Sequence, residues 1–208
     1  MASLIKGLAS DLTGSADICR PVRQLETTIG AGFVLPNEVI MFSLQSSKEE
    51  YTFTNHALLK IEGESATTTR KLVERFDYKT HTIKKVLFET AGRADRDVEI
   101  KFEIGGKSIS IDIARDDEPV VREYYKVLEI LGRAQRRNER EWDFAKLALS
   151  SASEALYLTE GSGQTLTRQS DEALTWVQQA YERTHPRCYR DVIHNAFAEL
   201  RQGAKMLS

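Results

Sequence analysis

Basic charge is in short supply in this chain. Its 208 residues carry 29 Lys and Arg against 31 Asp and Glu, a formal net charge of −2. A protein that grips nucleic acid through its phosphates shows a strong basic excess, so that class is excluded. Cysteine is scarcer still. Cys19 and Cys188 are the only two and stand far apart, which predicts reduced thiols in a cytosolic protein and no disulfide framework. Long apolar runs are also missing, since none approaches the ~20 residues that span a bilayer. Lys6 and Asp11 interrupt the apolar residues of the N-terminus, a pattern unlike a signal peptide. The expectation is a cytoplasmic protein, with peripheral contact to a membrane as the alternative.

What the chain does have is alternation. Val98-Glu99-Ile100-Lys101-Phe102-Glu103-Ile104 and Ser108-Ile109-Ser110-Ile111-Asp112-Ile113 place apolar residues at every second position. That period puts one face of a strand on a core and the other in water. Seven strands are predicted, at about Val39–Gln45, Tyr51–Thr54, Leu58–Glu62, Thr68–Asp77, Thr82–Thr90, Asp97–Ile104 and Lys107–Ala114. Asn55-His56 and Gly105-Gly106 supply tight turns, and the glycine pair suits a type I′ hairpin, whose central residues both need positive φ. Gly92 to Asp95 is a further polar break.

The period then becomes helical. Val121, Tyr124, Tyr125, Leu128 and Leu131 form a stripe from about Asp117 to Leu131, with Pro119 in its first turn and Gly132 past its end. An antiparallel barrel-like sandwich with one open end plugged by a helix satisfies this pattern. Ahead of it, Leu4, Ile5, Leu8 and Leu12 predict one short helix, and Val22, Leu25 and Ile29 predict another that starts at Pro21 and ends at Gly30 and Gly32. Behind it, Gly132 to Arg140 reads as a linker or as the first turns of another helix. The rest reads as helical. Trp142, Ala145, Leu149, Ala152 and Leu156 form one stripe. A loop with Gly161 and Gly163 follows, then a helix capped by Ser170 and another started by Pro186. About 70 helical residues make a small core, which predicts packing on the sheet or on another subunit.

Two motifs resemble a known family. Tyr51-Thr52-Phe53-Thr54-Asn55 resembles the strand-turn motif of bacterial pleckstrin-homology domains. Phe88-Glu89-Thr90-Ala91-Gly92, followed by Asp95, Asp97, Val98, Glu99, Ile100 and Lys101, resembles that family's longest signature. The helical end is similar to the YvbH-like oligomerisation region that can follow such domains. The resemblance implies an α+β fold: a seven-stranded antiparallel pleckstrin-homology-like barrel capped by a helix in residues 1–132, then an all-helical extension in residues 133–208. It also implies a non-enzymatic module that forms homo-oligomers. It supplies no ligand, since domains of this shape bind lipids, proteins or peptides alike.

Chemistry-bearing residues are sparse. In eukaryotic members the loop between the first two strands supplies basic residues to phosphoinositides. Here Ser46-Ser47-Lys48-Glu49-Glu50 carries two carboxylates, which repel a multiply charged phosphate. Arg70, Lys71, Lys84 and Lys85 form the better basic clusters and are the candidates for headgroup or partner contact; the plainer reading is a solvated strand face. Gly105-Gly106-Lys107-Ser108 lacks the earlier glycine of a phosphate loop and joins two strands. His56, His81, His185 and His194 have no mutual ligand spacing. Asp97 and Glu99 share a strand face, which reads as solvated, with Asp95 in a turn. Glu89, among apolar neighbours, is expected to be buried against a structural partner. No cofactor or metal is implied and no catalytic constellation stands out.

The reading that follows is a non-catalytic homo-oligomeric scaffold or adaptor that binds a protein or peptide through an exposed sheet edge or loops. Trp142, Leu149, Trp176 and Phe197 are the candidates for its oligomer interface. The alternative is association with anionic membrane surfaces, with avidity multiplying weak contacts.

Overall fold

The computed structural model describes residues 17–63, 70–90, 97–156 and 166–206. The helix expected around Leu4 to Leu12 lies outside them, as do the polar break at Gly92 to Asp95 and the glycines at 161 and 163. The described chain forms two units, Met1–Gly132 with Arg187–Ser208, and Arg133–Pro186.

In the first unit, every predicted strand forms: β2 (Ile40–Gln45), β3 (Glu49–Thr54), β4 (Ala57–Gly63), β5 (Lys71–Asp77), β6 (Lys84–Glu89), β7 (Asp97–Ile104) and β8 (Lys107–Ala114). A two-residue β1 (Arg20–Pro21) precedes them. They build a five-stranded sheet in the order β1-β2-β3-β4-β5 and a three-stranded sheet, β6-β7-β8. All ladders within the sheets are antiparallel. The alternation has the expected outcome, since Val98, Ile100, Phe102 and Ile104 of β7 and Ile109, Ile111 and Ile113 of β8 are buried. They meet Phe42, Leu44, Phe53 and Leu58 of the larger sheet in one core. Gly105 and Gly106 turn the β7–β8 hairpin with φ of 58° and 76°, as a type I′ turn requires.

The barrel is stitched on one side only. Cys19 N–H donates to Asp112 O at 2.7 Å, and Ala114 N–H donates to Cys19 O at 3.0 Å. These bonds tie the run into β1 onto β8. The Cys19 thiol is buried there, and burial, reinforced by the Glu49, Asp112 and Asp17 carboxylates, pushes its pKa up to about 12. On the other side β5 and β6 are both terminal strands, and among the described residues no ladder joins them.

Local chemistry overrides the helix expected at Pro21. The residue lies in edge strand β1 opposite Leu44, where a missing N–H is tolerated. Two 3₁₀ turns follow, Leu25–Thr27 and Ile29–Phe33. The buried Glu50 carboxylate accepts the N–H groups of Ile29 at 2.8 Å and Gly30 at 2.7 Å. Thr52 also donates its hydroxyl to Glu50, at 2.6 Å. The turn is thereby drawn onto the sheet so closely that a Cβ on Gly30 would lie 2.8 Å from Thr52 Cβ.

Helix boundaries also move. α1 (Glu118–Leu156) runs 39 residues through Gly132, because one glycine costs a helix only about 1 kcal/mol and the arginine-rich run beyond it favours helix. The 132–140 segment is therefore helix, and no linker separates it. α2 (Leu166–Thr184) begins ahead of Ser170, with Arg168 Nε to Glu172 at 3.0 Å across its first turn. α3 (Arg190–Met206) begins four residues past Pro186, since Tyr189 N–H donates at 2.8 Å to Asn55 O of the β3–β4 turn. Tyr189, just ahead of α3, and Ile193 and Ala196 of α3 then join the sheet core beside Val121, Leu128 and Leu131 of α1. A single cut at Gly132 thus misses that α3 completes the first unit. The second unit holds residues 133–156 of α1 and α2. Trp142 meets Tyr181 edge-on at 5.4 Å, His185 stacks on Tyr181 at 4.1 Å, and Ala145, Ala180 and Thr184 are buried.

Gly30→Ala is expected to destabilise the protein by about 1–3 kcal/mol through overpacking against Thr52. Gly32→Ala, with nothing within 4 Å of its Cβ position, is expected to be nearly neutral. Urea unfolding of the two variants measures the difference.

Candidate functional site

A concavity in the first unit lies at the end of the sheet where β3 turns into β4. It begins with Glu38, whose side chain is 0% exposed. A carboxylate so placed must find partners, and three elements supply them. Leu35 N–H donates to Oε2 at 2.7 Å, Arg75 Nη1 of β5 donates to Oε2 at 3.0 Å, and the Thr54 hydroxyl at the end of β3 donates to Oε1. Burial pushes the Glu38 pKa up. The Arg75 guanidinium, the Leu35 N–H and the Thr54 hydroxyl together outweigh it and hold the carboxyl below its ordinary value. Arg75 is fixed from its other side by Asp77, Nε to Oδ1 at 2.8 Å.

Asn55 closes the arrangement. It is buried, and its Oδ1 accepts Val39 N–H at 2.7 Å while its Nδ2 donates to Cys188 Sγ at 3.2 Å. With the Tyr189 bond this side chain and its backbone pin the loop before β2 and the segment before α3 to one turn. The result is a cavity of about 560 Å³. Its wall carries Leu35 to Asn37 from the loop before β2, His56 from the β3–β4 turn, Arg75 and Asp77 from β5, Lys79 and Thr80 from the next turn, and Arg187. Three cations thus face one carboxylate in a chain whose overall charge is negative. The arrangement suits binding. Among the described residues, no group of three His, Cys, Asp or Glu is placed to hold a metal.

The residues singled out from sequence lie elsewhere. Arg70 and Lys71 stand at the start of β5. Lys84 and Lys85 follow the turn at its other end, and six strand steps are about 20 Å. The four do not converge. Lys85 pairs with Glu103 at 2.8 Å, and Lys84 lies opposite Glu103 in the ladder. Glu89 forms the structural ion pair expected of it, with Lys101 at 3.1 Å, but on an exposed face and not in a buried one. A register shift between Lys84 and Leu87 leaves Val86 and Phe88 facing inward and Glu89 outward. Glu99 binds Lys101 at 2.8 Å and accepts the Ser110 hydroxyl, so it is held on a solvated face as expected; Asp95 lies outside the described residues. In the Ser46 to Glu50 segment both glutamates belong to β3, and Glu50 is the buried acceptor described above. Ser46 to Lys48 form a tight turn, closed by Ser46 N–H to Glu49 O at 2.8 Å.

The four interface candidates are also dispersed. Phe197 of α3 packs inside the first unit, with Phe42 at 5.8 Å and Tyr124 at 6.0 Å. Trp142 and Leu149 are half-buried, Trp142 against Tyr181 and His185. Trp176 alone is open, at 41% exposure. Sequence reasoning missed Glu38, Asn55, Arg75 and Arg187. They are separated by up to 149 positions (187 − 38) and share no periodic signal.

Comparisons with known proteins agree with this architecture. Residues 7–131 match the family model described as bacterial PH domain. The chain is 30% identical over 197 residues to the uncharacterised protein YvbH of Bacillus subtilis, covering 91% of this chain and 97% of that protein. It is also similar to the crystal structure of a PH domain containing bacterial protein from Exiguobacterium sibiricum. There the TM-score is 0.76 at 30% identity, over 87% of this chain and all of that one.

Glu38→Gln is expected to destabilise the protein by about 2–4 kcal/mol at pH 7, because it breaks a buried ion pair from one side. A carboxyl held low in the folded state contributes stability that is full above its unfolded pKa, about 4.5. That contribution is lost as pH falls through the folded value. The gap between wild type and variant in urea unfolding should therefore close on acidification.

Proposed function

The chain belongs to the bacterial PH domain family, and from that premise we propose that it is a non-catalytic adaptor that assembles with copies of itself through residues 133–186. One observation carries this reading. In a unit with a small core, Phe144, Leu147, Leu174 and Trp176 are 69%, 64%, 56% and 41% exposed. Phe144 and Leu147 lie one turn apart on the same side of α1, and large apolar side chains so placed favour a protein contact. The partner for the adaptor is a protein or peptide segment. The outer edge of β5 supports this, because β5 is terminal and holds an unbroken seven-residue register with β4, as strand addition needs. The other open edge, β6, is blunted by its register shift and by Lys85 at φ 51°.

Light scattering on the full chain tests the assembly. The expected mass is a multiple of 23.6 kDa, and Phe144→Glu with Leu147→Glu should reduce it with little change in the melting of the sheet unit. A monomeric full chain would refute the proposal. A chain cut at Gly132 is a poor control, because it loses Tyr189 and the α3 residues Ile193 and Ala196 from the sheet core.

A further inference from the structure

We propose that the cavity beside Arg75 is a binding site for a phosphomonoester, either a soluble phosphorylated small molecule or the headgroup of a phosphorylated lipid. The site uses side chains at the end of β5 and rests neither on that strand's open backbone edge nor on the self-association surface.

The first support is pre-organisation. Arg75 is held by Glu38 and Asp77 through Nη1 and Nε. A guanidinium has five N–H donors in a rigid fork, and these two bonds use one each, so one on Nη1 and two on Nη2 are left to meet an acceptor. A fixed guanidinium loses little freedom on binding an oxyanion, and planar bidentate geometry is what phosphate recognition uses. The second is convergence. Arg187, exposed and 112 positions away (187 − 75), lines the same wall as Arg75, Lys79, His56 and Thr80. Even with Glu38 counted behind Arg75, three cations outnumber the two carboxylates, Glu38 and Asp77. The third is size. About 560 Å³ lies in the range of small-molecule sites and admits a phosphoryl group together with the moiety that carries it.

Location separates this site from the Ser46–Lys48 turn. That turn precedes β3, and the cavity lies past the other end of the same strand, about 20 Å away by strand rise. In the cavity wall, Leu35 is 52% exposed and is anchored by its N–H to Glu38. An apolar lip beside a cationic pocket suits a headgroup as well as a free ligand, so the experiment must separate the two sources.

The test uses the full chain. Glycerol 3-phosphate is titrated while the side-chain Nε–H resonances of arginine are followed by NMR, and sedimentation is measured with phosphatidylcholine vesicles with and without phosphatidic acid. Saturable shifts at Arg75, weakened about tenfold by Arg187→Ala, are expected; Arg187 is exposed, so the variant should keep its melting temperature. Arg168→Ala, on α2, should bind as wild type does. Binding to glycerol 3-phosphate without sedimentation assigns a soluble ligand. Sedimentation that requires phosphatidic acid and is lost in Arg187→Ala assigns the headgroup. No saturable binding to either probe, or binding that Arg187→Ala leaves unchanged, overturns the proposal.

Discussion

A single buried carboxylate organises one end of this molecule. Glu38 joins the loop before β2, the end of β3 and the middle of β5 through Leu35, Thr54 and Arg75. Each partner compensates the desolvation of the charge, and each is positioned by doing so. Without Glu38, Arg75 would keep only Asp77, and Leu35 would lose its acceptor. The cavity wall is therefore a consequence of satisfying one charge. Asn55 plays the complementary part for the segment before α3, which explains why a helix at the end of the chain packs on the first sheet.

A second carboxylate does similar work at the opposite end. Glu50 holds the 3₁₀ turn at Ile29 and Gly30 and meets Thr52. Read from sequence it was half of an acidic loop that argued against a phosphate ligand there. In the fold it is an internal acceptor, and the loop shrinks to a tight turn.

How much was legible follows from what kind of signal each feature leaves. Period-two alternation in 98–104 and 108–113 reports directly which residues face the core, so the strands and the α+β class were readable. Gly105-Gly106 was readable because its two positive φ angles need glycine. Helix ends were not. Gly132 signals a stop, yet its cost is small beside the continuous helix on both sides, and Pro186 yields to a tertiary bond from Tyr189 to Asn55. Glu89 was misplaced because a register shift in β6 is invisible to a pattern that assumes regular pairing. The cavity was hidden for a simpler reason. Arg75 and Arg187 look like ordinary surface cations until the topology brings their segments to the same turn, whereas Lys84-Lys85, adjacent in sequence, sit beside Glu103.

The central claim is that the Glu38–Arg75 pair couples β5 to the loop that frames the cavity. A double-mutant cycle with Glu38→Gln and Arg75→Met, read by urea unfolding at neutral pH, tests it most directly. The account predicts a coupling energy of about 1–3 kcal/mol between the two substitutions. Additive effects, with a coupling near zero, would contradict it.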